Sequence, residues 1–350
     1  MNPNGELEEP SLDFSPPKKK FGPKTLAVIL LKLTGTSAFL YWAFSLVEDK
    51  GELAENFKLA LTSPFWVGCG IALAGVTVLA SALRWYVLLR AQSMDVRFSY
   101  IGKLTLIAAL FNVASFGTAA GDAMKMISVM RRFPDKKVVI TMTVMVDHLV
   151  GFISGGMIFL LFAWGFGTVQ ATENDAVKQA FIATTIFQGV GILFIAGMFA
   201  ISSDGMLGQF RSKLPRMATN KHIKSITSSL NIFRTSYKAF AISLGASFLL
   251  SITYFLAFYI ALRTIGEQVS ASTVLTVMPI VDVVSALPIT ISGLGVRERA
   301  FDFLLSELAG IHTSSAVSAS LIGFLFHVFW GLVGGVYLIF ERSVFSKGKV

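Results

Sequence analysis

The sequence is poor in charged residues and contains a single cysteine. Only 15% of its 350 residues are charged, whereas soluble globular domains carry roughly 25%. Cys69 alone cannot form an internal disulfide framework or a cysteine-rich metal cluster. Because 54% of the residues are apolar, disorder over the whole length is excluded as well. The composition therefore indicates a polytopic membrane protein and not a soluble enzyme.

Familiar catalytic and metal-binding motifs are also missing. The sequence has no Gly-x-x-x-x-Gly-Lys-Ser/Thr phosphate loop, no His-Glu-x-x-His, no Gly-x-Ser-x-Gly and no Cys/His metal spacing. The longest polar loop, 202–238, is basic and too short for a catalytic domain, and its charges suit anionic lipid headgroups. We therefore predict no metal, no cofactor and no nucleic-acid partner.

Six apolar runs are long enough for helices that cross a bilayer, which takes about 20 residues each. They are 26–47, 65–89, 138–166, 181–201, 240–262 and 316–340. Two shorter runs, 101–116 and 273–291, end in glycine-rich turns and lead into amphipathic segments at 123–133 and 299–309. The pattern predicts an all-α protein with six full spans and two re-entrant helical hairpins, at 101–132 and 273–310.

The loop charges orient these elements. Suppose that the N-terminus is cytoplasmic and that each hairpin returns to the side it left. The outer segments then hold only four of the 30 basic residues, namely Lys50, Lys58, Lys178 and Arg263. This asymmetry follows the positive-inside rule. We therefore predict a multi-pass protein of the inner or plasma membrane with both termini cytoplasmic, and an uncleaved first span.

The order of elements is span, span, hairpin, span, repeated once with opposite orientation. This order predicts a basic disordered tail at 1–24, a first repeat at 25–170, a second, inverted repeat at 171–342, and a cytoplasmic tail at 343–350. Inverted repeats with broken membrane elements are typical of transporters, with the substrate site near the midplane. Small residues four positions apart occur in the third span, at Gly151 and Gly155, and in the sixth, at Gly331 and Gly335. The similarity favours a duplication, although ordinary helix packing also produces such pairs.

Charged residues cluster at the two predicted hairpin tips. A charge at membrane depth costs at least ~2.5–3.5 kcal/mol, so such residues are functional candidates. The first tip contains Gly117, Gly121, Asp122 and Lys125, and the second contains Gly293, Gly295, Arg297, Glu298 and Arg299. Helix N-termini and basic side chains bind anions such as phosphate. We expect Asp122 and Glu298 to orient the cations and cap the helices. Alternatively, Asp122–Lys125 and Glu298–Arg299 are ion pairs that only stabilise the turns.

Other charged residues in apolar runs leave two interpretations open. Lys32 can extend to the cytoplasmic interface, and Arg84 can either do the same or face a hairpin tip. Asp147 needs a partner or a proton, and Asp282 is interpreted in the same way. His148 and His327 lie at similar depths in the third and sixth spans, where a lone histidine is more often a packing residue.

Three motifs resemble those of a known family. They are Phe111-Asn112 with Gly121-Asp122-x-x-Lys125, Asp147-His148-x-x-Gly151, and Leu287-Pro288-Ile-x-x-Ser292-Gly293-Leu-Gly-Val-Arg297-Glu298. The chain from about 25 to 342 is similar to the lysylphosphatidylglycerol synthase transmembrane-region family of flippase-like proteins. Relatives usually have Gly and Arg where this chain has Ala120 and Lys125, and often Arg where it has His148.

The resemblance implies translocation of a phospholipid or lipid-linked phosphate between membrane leaflets. It adds Asn112 to the predicted binding residues for an anionic headgroup, which also include Arg84 and Asp147 from the charges in apolar runs. Because the sequence ends at Val350, we expect no lipid aminoacylation by an attached soluble domain. Two alternatives remain open. One is a membrane enzyme that acts on a lipid phosphate through Asp147 or Glu298. The other is a non-catalytic membrane subunit of a lipid or cell-envelope synthesis system, whose basic loop 202–238 recruits another protein. The expected protein partners are a second copy of the chain or a lipid-synthesis enzyme.

Overall fold

The computed structural model describes residues 50–114, 119–201, 236–286 and 290–346, together with Tyr41 and Ser45. Within these ranges every regular element is helical. The predicted tail at 1–24, nearly all of the predicted span at 26–47, most of the basic loop and Gly117 lie outside the described residues.

The described helices comprise long apolar elements and shorter ones. In chain order they are α1 (Lys50–Leu61), α2 (Pro64–Ala91), α3 (Phe98–Ala114), α4 (Ala119–Arg132), α5 (Lys137–Leu160), α6 (Thr168–Ala171), α7 (Asp175–Ile201), α8 (Tyr237–Thr264), α9 (Ala271–Ser285), α10 (Val296–Ala309) and α11 (Thr313–Ser346). A 3₁₀ turn at Pro134–Lys136 precedes α5, and a π-helical turn at Leu161–Gly165 follows it.

Five stretches of the described chain are long and apolar enough to cross a membrane. They are Pro64–Ala91, Pro134–Gly165, Asp175–Gly197, Tyr237–Thr264 and Thr313–Phe340. Each coincides with a run predicted from the sequence, and the helices extend beyond the apolar runs. The helix of the second span, for example, begins at Pro64. Proline is well tolerated there, because the N–H groups of the first helical turn have no partner within the helix and the missing N–H of proline costs no hydrogen bond. The protein is therefore a multi-pass membrane protein.

Both predicted hairpin segments consist of two helices. The apolar helices α3 and α9 are short, and each is followed by a helix of 14 residues, α4 or α10. The chain after α4 returns to the end of α2, since the ammonium of Lys136 donates to the carbonyls of Gln92 and Ser93 over 3.4 and 2.9 Å. The beginning of α5 and the end of α2 therefore lie side by side.

Helices α2 and α8 pack along each other in opposite directions at the centre of the molecule. The hydroxyls of Thr77 and Thr253 lie 2.9 Å apart. The guanidinium of Arg263, at the end of α8, lies 5.5 Å from the ring centroid of Trp66, at the beginning of α2. This central pair brings together one helix from each of the two predicted repeats.

The backbones of helices α11 and α3 lie in close contact at two glycines of α11. A Cβ atom on Gly334 would lie 2.1 Å from the Leu106 carbonyl oxygen, and one on Gly331 would lie 3.2 Å from that of Ala109. The small residues of the last span therefore serve helix contact, as the sequence predicts. In the corresponding pair of the third span, a Cβ on Gly155 would meet open space, so this glycine makes no close contact with another described helix.

Candidate functional site

The first charged cluster is centred on Asp122 in α4. One carboxylate oxygen lies 2.8 Å from the Lys125 ammonium, and the other lies 3.0 Å from Nε2 of His148 in α5. The ammonium also lies 5.2 Å from the ring centroid of Trp85. These contacts place the Asp122 carboxylate between two basic side chains.

A second ion pair lies directly beside this cluster. Nε and Nη2 of Arg84 donate to the two oxygens of Asp147 over 2.6 and 2.7 Å, and Nη1 donates to the Ser247 hydroxyl over 2.9 Å. A Cβ on Gly151 would lie 3.0 Å from Nη1, so this glycine gives the guanidinium its room. Both charged side chains are buried. Arg84 is therefore buried in an ion pair beside the cluster of the first hairpin tip and does not extend to an interface, and Asp147 has a partner.

The two clusters form one network because their members are neighbours in sequence. Arg84 is followed by Trp85 on α2, and Asp147 is followed by His148 on α5. Arg84 and Asp147 bind each other, whereas Trp85 contacts Lys125 and His148 contacts Asp122. With Ser247 the network connects α2, α4, α5 and α8.

The third cluster lies at the start of α10. Nη2 and Nε of Arg297 donate to one oxygen of Glu298 over 2.7 and 3.1 Å, and this oxygen also accepts the Ser320 hydroxyl over 3.0 Å. The other Glu298 oxygen accepts the main-chain N–H of Gly295 over 2.5 Å, which caps the helix. The guanidinium lies 4.4 Å from the Phe324 ring centroid, and only 4% of the Arg297 side chain is exposed.

The alternative pairing of Glu298 with Arg299 is wrong. Arg299 instead forms an ion pair with Asp302, one helical turn further along α10. Residues three apart lie on the same face of a helix, whereas the Glu298 carboxylate folds back over the beginning of the helix toward Gly295. The Asp122–Lys125 pair, in contrast, is present as the sequence suggested.

Asn112 joins the two predicted hairpin segments. Its main-chain carbonyl accepts the Ser292 hydroxyl over 2.8 Å, and its side-chain oxygen accepts the Gly121 N–H over 3.0 Å. A Cβ on Gly121 would lie 2.2 Å from this side-chain oxygen, so only glycine fits there. Ser292, Gly293 and Gly295 all have positive φ angles, of 52°, 73° and 84°. Glycine suits such backbone, and Ser292 is held in it by its bond to Asn112.

Asp282 and His327 lie near the Arg297 cluster. Asp282 lies in α9, and its carboxylate is close enough to the Arg297 guanidinium to interact with it electrostatically. The imidazole of His327 lies 4.8 Å from the Tyr254 ring, centroid to centroid, and its Nε2 has no hydrogen-bond partner among the described residues. Among the described residues no group of three or more His, Cys, Asp or Glu side chains is arranged to hold a metal ion.

The sequence matches the family model described as the lysylphosphatidylglycerol synthase TM region, over residues 26–335. The chain belongs to this family. No curated protein gives a significant match. The match covers the membrane region of the family and includes each of the charged clusters described above. It agrees with a membrane protein related to lipid handling.

Several residues that complete the clusters in this family member were not predicted from the sequence. They are Trp85, Ser247, Asp302 and Ser320, which contact Lys125, Arg84, Arg299 and Glu298. A signal for Ser247 exists, because Ser243, Ser247 and Ser251 repeat every four residues along α8 and all are buried. Such a polar stripe on an apolar helix indicates a face that packs against polar partners. Trp85 and Ser320 carry no comparable signal.

Proposed function

We propose that this protein moves a phospholipid or a lipid-linked phosphate between the leaflets of a membrane, as a transporter and not as an enzyme. The observation that carries the proposal is the contact of Ser292 with Asn112, which joins the two hairpin segments between buried ion pairs. Charged groups inside a membrane protein are expensive and serve function by default. A polar path between leaflets needs such groups, whereas a packed structural core does not.

The proposed topology has six spans and two re-entrant hairpins arranged as an inverted repeat, with both termini cytoplasmic. The contacts of Lys136 with Gln92 and Ser93 support the first hairpin, because they place the beginning of α5 on the side where α2 ends. The hydrogen bond from Asn174 to Glu307 over 2.7 Å supports the second, because it places the end of α10 beside the beginning of α7. The two hairpins then open toward opposite faces.

The headgroup phosphate is proposed to bind where the hairpin tips meet. Lys125, Arg297 and Arg299 supply positive charge there, and Asp122 and Glu298 hold two of these cations in position. The Arg84–Asp147 pair and Asn112 fix the helices that carry the tips. In the conformation described here Lys125 and Arg297 are enclosed, so passage of a lipid requires an alternative arrangement of the tips.

Transport in proteoliposomes tests this proposal. The purified protein is reconstituted with phosphatidylglycerol that carries a fluorescent group, and dithionite quenches the fluorophore in the outer leaflet. We expect the wild-type protein to raise the quenched fraction above that of protein-free vesicles. R297K keeps the charge but loses the two-point contact with Glu298, so it should slow the exchange at least about tenfold.

R90Q is the matched control for R297K. Arg90 forms an ion pair with Asp95 at the surface, where its side chain is 49% exposed. Its exchange rate should equal that of the wild type, and the melting temperatures of all three proteins show that each is folded. Wild-type vesicles that exchange no faster than empty ones would refute the proposal. A lipid whose mass changes during the assay would favour an enzyme instead.

A further inference from the structure

The Asp122 carboxylate lies between two basic groups that differ sharply in accessibility. Lys125 and His148 contact its two oxygens over 2.8 and 3.0 Å. Only 6% of the Lys125 side chain is exposed, against 56% of the His148 side chain. Of the two groups, the imidazole is therefore the one that a ligand can reach.

The other charged side chains of this network, within the described part of the chain, are already paired with one another. Arg84 on α2 is paired with Asp147 through two hydrogen bonds, and both side chains are buried. Lys125 is paired with Asp122 and covered by the Trp85 ring. A protonated His148 adds one positive charge to a network that is otherwise neutral. A neutral His148 leaves the network without net charge.

The hydrogen bond to Asp122 also orients the imidazole. Nε2 faces the carboxylate, so Nδ1 is the atom left to donate to a ligand. A carboxylate partner holds a histidine in one orientation and favours its charged form. Asp122 therefore acts as a positioning residue, and the imidazolium as a donor fixed at the accessible edge of the network.

We propose that His148 binds the phosphate of the lipid headgroup in the first half of the protein, and that this binding requires a protonated imidazole. The inference rests on the proposed function for its ligand, an anionic phosphodiester lipid. It assigns the first contact, in the conformation described here, to His148, because Lys125 is enclosed between Asp122 and Trp85.

Binding can be measured without transport. The purified full-length protein is kept in an uncharged maltoside detergent and titrated with dihexanoylphosphatidylglycerol, a soluble lipid whose phosphodiester keeps its charge between about pH 5 and 8. Because histidine changes charge in this range, the wild-type affinity should decrease as the pH rises. H148Q should bind at least about tenfold more weakly at the low end, the loss expected for one charge-assisted hydrogen bond.

Two variants separate this role from simple packing. H148R keeps a positive charge at every pH, so it should bind with high affinity throughout and lose the pH dependence. H312Q makes the same change at an exposed histidine outside the network and should leave the wild-type profile unchanged.

The outcomes distinguish the two proposals. Equal pH profiles for wild type and H148R, or full affinity in a folded H148L, would overturn the role of His148, since a side chain that only faces lipid tails tolerates leucine. Binding with the expected pH profile, but without transport in proteoliposomes, would retain the His148 site and reject the proposed function.

Discussion

The Ser292 hydroxyl donates a hydrogen bond to the main-chain carbonyl of Asn112 over 2.8 Å, across 180 positions of sequence. Asn112 lies in the last turn of α3, where carbonyl groups lack partners within the helix. Ser292 lies in the tight turn before α10, with a positive φ of 52°. A residue of one proposed repeat therefore satisfies an unpaired helix end of the other.

S292A should lower the free energy of unfolding by about 1 kcal/mol, because it removes this hydrogen bond between the two hairpin segments. Unfolding in mixed micelles measures the change. S128A is the control, since the Ser128 hydroxyl donates to the Met124 carbonyl in its own helix and its loss should cost less. Equal stabilities for S292A and the wild type would show that the contact contributes nothing.

G121A should destabilise the protein by about 1–3 kcal/mol, the usual cost of overpacking a tight contact. The added methyl group would lie 2.2 Å from the Asn112 side-chain oxygen and 2.6 Å from the Ala108 carbonyl, which forces α4 away from α3. G102A is the matched control, because a Cβ on Gly102 in α3 meets open space. It should be neutral or stabilising, since alanine favours helix. A G121A protein as stable as G102A would contradict the packing described here.

D147N should reduce stability by about 3–5 kcal/mol, the cost of leaving one charge of a buried pair without its partner. The double variant R84M/D147L removes both charges and should recover most of this loss. D95N, at the exposed Arg90–Asp95 pair, should change stability by less than about 1 kcal/mol. Thermal unfolding in detergent ranks the variants. A D147N protein no less stable than D95N would show that Arg84 does not depend on Asp147.

Cysteine labelling tests the proposed topology. In a C69S background, D95C and D135C should both react only with reagents that reach the cytoplasm, while E173C should react only from outside. All three positions are exposed. If α3 and α4 instead carried the chain across the membrane, Asp95 and Asp135 would lie on opposite sides, and their labelling would differ.

The fold could be predicted from the sequence to the extent that it depends on local hydrophobicity. Each of the five candidate spans in the described chain coincides with an apolar run, and α4 and α10 follow the short apolar helices as expected. The helix bounds shift by a few residues because caps and first turns contain polar residues or proline. The predicted helix at 123–133, for instance, begins at Ala119.

The pairing of charges could be predicted only in part, because it depends on how helices rotate and pack. Asp122 and Lys125 lie one turn apart on a single helix, so their pair follows from spacing alone. Arg84 and Asp147 lie on different helices, and no spacing rule identifies them as partners. The pairing of Glu298 with Arg297 depends on a carboxylate that folds back to cap its own helix.

The order in which these contacts can form follows the order of synthesis. Arg84 and Asp147 are 63 positions apart, so their pair can close while the ribosome is still making the second half. The hydrogen bond to the Asn112 carbonyl cannot form until Ser292, 180 positions later, has been synthesised. At about 5–20 residues per second, that wait lasts roughly 10–40 seconds. A newly inserted first half therefore spends this time with its hairpin tip unsatisfied, exposed to membrane insertases and quality-control proteases.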